Sequence, residues 1–306
     1  SFNTKFSMPG VLASAPSDTE CLVLEFGARY RGDLHLMGGV AKPSVAIITK
    51  LGWAHQGSMI GQAGIVATKG ELVEDLPASG TAVISTDDPL AQGLPDRTAA
   101  TVLTYGSVGD VRATGVRLSG DLSLSLSVAT PWGEADLRPA VRGEHHVTNV
   151  LASLAGALAV GVPLDAAVAG IEQAEPPARR MQMHRIDRDI LVIDDSFNAT
   201  LESVLGALEA LAAIDAPDRL AVMGPLVDGK AYVELIHTIA RERAEQLGLE
   251  MLAYRAPNYG TPVVEHRRQL RERVDALPDG SAVLIKGSRN DVIDEVIAEL
   301  IDHPGI

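Results

Sequence analysis

Short, unbroken apolar runs separated by stretches of helix length set the strongest limit on how this chain folds. In the first half such runs fall at 21–27 (CLVLEFG), 45–51 (VAIITKL), 81–85 and 101–105. In the second half they recur at 190–194, 220–224, 250–253 and 282–285. Runs this short without polar alternation are expected of strands buried on both faces, and helix-length spacers between them give parallel sheets. The spacing predicts helices over 60–76, 146–160 and 164–173, and a short helix opened by Asp87-Asp88-Pro89. Between 111 and 128 the pattern changes to apolar–polar alternation around glycines, which predicts an antiparallel insert. Glu175-Pro176-Pro177-Ala178 interrupts the pattern before the βα alternation restarts, and is the natural boundary. The expected fold is therefore α/β: two domains, 1–178 and 179–306, each with a mainly parallel sheet flanked by helices, the first carrying the insert.

Composition narrows the function. The 306 residues carry a net charge of −14, so no bulk basic surface invites nucleic acid or an anionic membrane. Aromatics make up 4%, too few for a base-stacking platform. Cys21 is the lone cysteine, which excludes an internal disulfide and a cysteine-based zinc site and suits a reducing cytoplasm. The longest charge-free stretch, 146–164, sets Val147, Val150, Leu151, Leu154 and Leu158 at helical spacing, the stripe of a core-facing helix rather than a membrane span. No signal peptide opens the chain, which begins at Ser1 without an initiator Met; a segment missing upstream is the expectation.

In parallel sheets, ligands gather at the carboxyl ends of strands. Glu25 closes the first run, His55 follows the second, and Lys69 lies on a helix among Ala67, Thr68 and Gly70. Glu25 and His55 would then converge on one sheet edge, where a metal could sit. Taken singly, each has an ordinary reading: a solvated strand-end glutamate, a satisfied histidine, a solvated helical lysine. Glu144-His145-His146 offers no metal pair by this reasoning, because adjacent side chains on a helix do not face each other. Residues 224–231 (GPLVDGKA) follow a strand, precede a helix and fit the phosphate loop G-x-x-x-x-G-K-[ST], except that Ala231 stands where a magnesium-binding hydroxyl belongs.

Order and context tie these residues together. LEFGARYRGDL, AIITKLGWAHQGS, ATKGELVEDL, AVISTDDP, GEHHVTNVLASLAGALAVGV, ARRMQMHR, VIDDSFNATLESV and AVLIKGSRNDV resemble, in that order, the motifs of the Mur ligases. The nearest branch is the one that adds D-alanyl-D-alanine to a UDP-muramoyl tripeptide. The resemblance covers nearly the whole chain, and SFNTKFSMPG at its start is similar to the segment after the family's nucleotide-binding loop. It implies a central ATPase-type domain followed by a Rossmann-like ligase domain. It implies ATP-dependent amide bond formation through an acyl phosphate, with ATP and Mg2+ as cofactors, in peptidoglycan precursor synthesis. The substrates would be a UDP-sugar peptide and an amino acid or dipeptide. On this resemblance Glu25 and His55 match magnesium-binding positions, and Lys69 the carbamylated lysine. Mg2+ favours hard oxygen ligands, so Glu25 is the chemically natural one and His55 less expected. A carbamate needs a neutral amine, which burial favours, and its anionic product can hold a metal. Asn149 matches the adenine contact, and Arg180 the arginine that reaches the nucleotide phosphates from the hinge. Asp195 and Asn198 match the DDxYNA-type motif on the nucleotide side. Lys286, Ser288 and Arg289 match the KGSR segment facing the amino substrate.

The departures are specific. Phe197 replaces the usual Tyr, Ser85 and His146 stand where Asn is usual, and Pro225 replaces an acidic residue, which bears on dipeptide specificity. The family's phosphate loop and its UDP-sugar domain would lie before Ser1. Without that loop ATP chemistry should collapse, so a missing N-terminal segment or a partner chain is expected to supply it. The other readings are a non-catalytic Mur-like scaffold, half of a split ligase, or a Mur-like ligase of secondary metabolism.

Overall fold

Two series of strands and helices follow one another along the chain, each on its own parallel sheet. The computed structural model describes residues 2–52, 61–226, 232–288 and 293–302. Helices α1 (Met8–Ser14) and α2 (Asp33–Ala41) precede strand β1 (Val45–Ile48); α3 (Gly61–Glu74), β2 (Thr81–Ser85) and β3 (Thr101–Tyr105) follow. The strands pair in parallel in the order β1-β2-β3. Successive side chains face opposite sides. Ala46, Ile48, Ala82 and Ile84 join one core with Leu34 and Met37 of α2 and Ile65 and Val73 of α3. Tyr105 is fully buried and donates its hydroxyl to the carbonyls of Ile48 (2.8 Å) and Thr49 (2.9 Å). Burial pushes its phenol up to about 12. Asp88 starts the short 3-10 turn at Pro89–Ala91 by accepting from Leu90 N–H, and its other oxygen accepts from Leu51 N–H at 2.7 Å. The acidic pair at 87–88 is thus a helix start, as the sequence indicates.

The strand expected at 21–27 does not form. No strand is assigned there, Val23 is 88% exposed, and among the described residues the backbone partner found is Asn3, whose carbonyl accepts from Gly27 N–H. An apolar run becomes a strand only where a neighbour completes its ladder, and the described residues present no such neighbour to 21–26. Glu25 is therefore exposed on an irregular segment rather than at the mouth of a buried strand.

The insert is a separate sheet of β4 (Arg112–Leu118), β5 (Leu124–Thr130) and β6 (Gly133–Leu137), in that order. Connections as short as 119–123 and 131–132 close only antiparallel pairs. β6 is an addition to the sequence reading. Helices α4 (Val147–Ala159) and α5 (Leu164–Gln173) follow. Gly156 of α4 lies so close to Ile47 that a Cβ there would collide with it, which sets α4 against the second face of the first sheet.

The second series runs β7 (Gln182–Arg185), β8 (Leu191–Asp195), α6 (Leu201–Ala213), β9 (Arg219–Met223), α7 (Val233–Gln246), β10 (Glu250–Tyr254), β11 (Val263–Val264), α8 (Arg267–Asp275), β12 (Ala282–Lys286) and α9 (Ile293–Asp302). Its six strands lie in the order β11-β10-β9-β12-β8-β7, parallel except for β7, which pairs antiparallel with β8 at the edge. Helices α6 and α7 cover one face over Ile193, Ala221, Met223 and Leu284; α8 and α9 cover the other over Val192, Val222, Val283 and Ile285. By packing, the chain divides into one unit of Ser1–Gly115, Ser127–Asp136 and Thr148–Gly170 and another of Val116–Leu126, Leu137–Val147 and Ile171–Ile306. Among the described residues no helix is long and apolar enough to cross a membrane.

Candidate functional site

In the second unit β8 leads into a helix on one face of its sheet and the adjacent β12 into a helix on the other. The carboxyl edge at such a divergence is where parallel α/β sheets bind ligands. The polar residues at these strand ends are tied together there. Lys286, the last residue of β12, is 1% exposed, and its ammonium donates to Asp195 Oδ2 at 2.6 Å and to the Asn198 carbonyl at 3.0 Å. Asp195 is the last residue of β8, directly beside Lys286 in the strand register. Burial pushes the lysine below its ordinary value, while the carboxylate pulls it back up. Next to it, Asp194 Oδ1 accepts from Ser196 N–H at 3.0 Å, shaping the DDSFN turn. Ser288 is buried just beyond β12.

A second layer approaches from 143–147 and 179–181, both in this unit. The Arg180 guanidinium, on an exposed residue, lies 4.3 Å from the centre of the Phe197 ring, a cation–π contact that a phenylalanine in place of tyrosine still provides. Arg179, whose backbone is left-handed at φ 65°, donates through Nε to Ser196 Oγ at 3.0 Å, and Phe197 N–H donates to its carbonyl. His145 and His146 belong to a 3-10 turn, Glu144–His146, and their rings stand 4.3 Å apart. This corrects the expectation that adjacent histidines do not face each other: the two rings, tilted by 43°, are in contact. Burial, then the neighbouring imidazole, push half-buried His146 down to about 4; the Arg180 and Lys286 cations act in the same sense and Asp195 opposes them. His145 is shifted in the same direction, but it is exposed, and water offsets much of that effect.

The first unit holds the other predicted residues. Lys69, on α3, is half-buried and its ammonium donates to the Lys50 carbonyl at 3.0 Å, just past the carboxyl end of β1. Gly70 beside it leaves room for the Arg97 guanidinium, which caps the Val66 and Ala67 carbonyls. Glu25 accepts from the Asn3 side chain at 2.9 Å. Asn149 lies exposed in the first turn of α4, and its carbonyl accepts from the Ser153 hydroxyl. His55, Arg289 and most of the phosphate-loop look-alike, 227–231, lie outside the described residues. Among the described residues no group of three or more His, Cys, Asp or Glu side chains is placed to hold a metal ion. Glu25 offers one hard oxygen donor, whereas an ammonium at Lys69 repels a cation. Lys69 fits a part in holding Mg2+ only as a carbamate.

Two residues near this edge escape a sequence reading. His237, 1% exposed on α7, and Tyr259, 1% exposed, both bond to the turn after β9. The one available signal was a histidine in register with Ile236, Ala240 and Ala244 on the buried side of its helix.

The sequence profile of the Mur ligase middle domain matches residues 1–157. The chain belongs to the Mur ligase family. This Mur ligase chain is 34% identical over 217 residues to the UDP-N-acetylmuramoyl-tripeptide--D-alanyl-D-alanine ligase of Mycobacterium tuberculosis, a stretch that covers 70% of this chain and 42% of that protein. The chain thus spans about two fifths of the length of that relative. A crystal structure of MurF from Acinetobacter baumannii superposes with a TM-score of 0.91 at 26% identity, covering 98% of this chain and 69% of that one. MurF of Thermotoga maritima, solved with ADP, shares the fold at a TM-score of 0.87 and 21% identity. The two α/β units with parallel sheets are those of a Mur ligase.

Proposed function

We propose that this Mur ligase chain is the catalytic part of an ATP-dependent ligase that joins a D-alanyl-D-alanine-like dipeptide to a UDP-muramoyl peptide, through an acyl phosphate, in peptidoglycan precursor synthesis. The observation that carries the reading is the carboxyl edge of the second sheet, where the DDSFN and KGS segments are fastened by the Lys286–Asp195 pair. The names of the relatives from M. tuberculosis and A. baumannii support the same activity. In this reading residues 1–178 activate the carboxylate and 179–306 receive the amine. Asn149 contacts the adenine, Arg180 the nucleotide phosphates, and Asp195 and Asn198 form the nucleotide-side wall. Ser288 and Arg289 face the dipeptide, with Lys286 holding their segment from within. Glu25, His55 and carbamylated Lys69 would hold Mg2+, which supplies charge neutralisation for phosphoryl transfer. The lone cysteine suits a cytoplasmic site of action.

The test is ligation by the full gene product supplied with ATP, Mg2+, a UDP-muramoyl tripeptide and D-alanyl-D-alanine. One ADP and one phosphate should appear per amide formed, with the product seen by mass spectrometry. ADP release that does not depend on the dipeptide, or no release at all, overturns the reading.

A further inference from the structure

The turn after β9, Gly224-Pro225-Leu226, is held from two sides. Toward β12, Gly224 N–H donates to the Lys286 carbonyl at 2.8 Å, the last rung of the β9–β12 ladder. There the two backbones meet directly: a Cβ on Gly224 would stand 3.2 Å from Gly287 Cα, and one on Gly287 would press on Ile293 at 2.9 Å. The turn and the KGS segment therefore form one slab of backbone, and neither can shift without the other.

From the opposite side the turn is gripped by buried side chains that the ligase reading has not used. The Tyr259 hydroxyl donates to the Gly224 carbonyl at 3.1 Å. His237 Nδ1 lies 2.6 Å from the Val233 carbonyl, and its Nε2 3.3 Å from Leu226 N. A carbonyl only accepts and an amide N–H only donates, so the tautomer is fixed: Nδ1 carries the proton and Nε2 accepts from Leu226. The two rings meet edge to face at 4.4 Å. A buried imidazole nitrogen and a phenol hydroxyl both spent on one short segment are more than packing requires, since apolar side chains would fill the same space without polar groups to satisfy.

We propose that His237 and Tyr259 are positioning residues: by gripping Leu226 N–H and the Gly224 carbonyl they press the turn after β9 onto the Lys286–Ser288 segment and so set the surface that receives the amine substrate. This rests on the ligase reading for the identity of the substrate, but the grip itself does not. Neither residue touches the reacting atoms; both act through the Gly224 and Lys286 backbones. Pro225, in place of the usual acidic residue, sits at the centre of the gripped turn, so the amine surface of this chain is built on backbone geometry at that point.

The two nitrogens of His237 can be tested apart. His237→Gln places an amide acceptor near the Nε2 position, whereas His237→Asn reaches only the Nδ1 position and abandons Leu226. Tyr259→Phe keeps the ring contact and removes the hydroxyl. In the full gene product, exchange of the Leu226 amide with deuterium should quicken about tenfold or more in His237→Asn, with His237→Gln recovering most of the protection. Tyr259→Phe should quicken exchange at Gly224. In ligation assays His237→Asn and Tyr259→Phe should raise the KM for the dipeptide about tenfold while the KM for ATP stays put, a split that general destabilisation would not produce. Unchanged exchange at Leu226 and Gly224 overturns the grip. Altered exchange with KM rising equally for both substrates overturns the positioning role. Altered exchange in a gene product that ligates nothing overturns the ligase reading and leaves the grip standing.

Discussion

Replacing Lys286 by Met should destabilise the second unit by about 3–5 kcal/mol, the usual cost of removing one partner from a buried ion pair. Three features set that magnitude. The lysine side chain is 1% exposed and that of Asp195 9%, so water cannot take over the role of the lost partner. The 2.6 Å contact is a charge-assisted hydrogen bond, and the same ammonium also satisfies the Asn198 carbonyl. Met fills the stem volume, so the loss is electrostatic rather than a cavity. Asp195→Asn keeps an acceptor for the ammonium and should cost less, about 1–3 kcal/mol. In Lys286→Met/Asp195→Asn no buried charge is left without its partner. The double variant should then fall short of the summed single losses by about 2 kcal/mol. Urea denaturation followed by circular dichroism gives the totals, and deuterium exchange at the β8 and β12 amides assigns the loss to the right unit, because two units need not unfold together. A loss below about 1 kcal/mol for Lys286→Met, with additive effects in the double variant, would refute the pairing.

His146 is held near 4 against an ordinary 6.5, so the unfolded chain takes up its proton first. The stability it contributes is whole above pH 6.5 and drains as pH falls toward 4, at up to about 1.4 kcal/mol per pH unit. His146→Asn should flatten that part of a stability–pH curve. Gly70→Ala should cost about 1–2 kcal/mol, because the Arg97 guanidinium must leave the Val66 and Ala67 carbonyls; in an Arg97→Met background the same change should cost little, as melting temperatures will report. Lys69→Ala should abolish ligation, with bicarbonate giving no rescue, and retained turnover would dismiss the carbamate. Asn149→Ala should raise the KM for ATP about tenfold and leave that for the dipeptide unchanged.

The buried strands were legible because burial on both faces writes a continuous apolar run, and β2 and β3 fall where those runs fall. Residues 21–27 carry the same signal without the structure, since a sequence pattern reports burial but not the neighbour that a ladder needs. β7 (QMHR) was illegible for the opposite reason: an edge strand half open to water needs no apolar run. At the site, residues after strands were found because topology alone puts them on the carboxyl edge. His237 and Tyr259 were not, because they lie on a helix and in a turn, and their role depends on which backbone atoms they meet. The His145–His146 contact depends on how two neighbouring rings turn toward each other, which spacing along the chain does not report.

The order of strands in the second sheet has a consequence for how the chain assembles. β12 follows β8, β9 and β10 in sequence yet sits between β8 and β9, with Leu284 beside both Ile193 and Ala221. Until it arrives, the strands already made have an open slot down their middle, with two ladder edges exposed and the Asp195 acid lacking its cation. Closing that slot joins the most distant strand pair of the sheet in one step, which is the slow kind of step in folding and the one most open to a wrong strand. The same insertion that finishes the sheet also finishes the site, so a half-assembled unit carries neither.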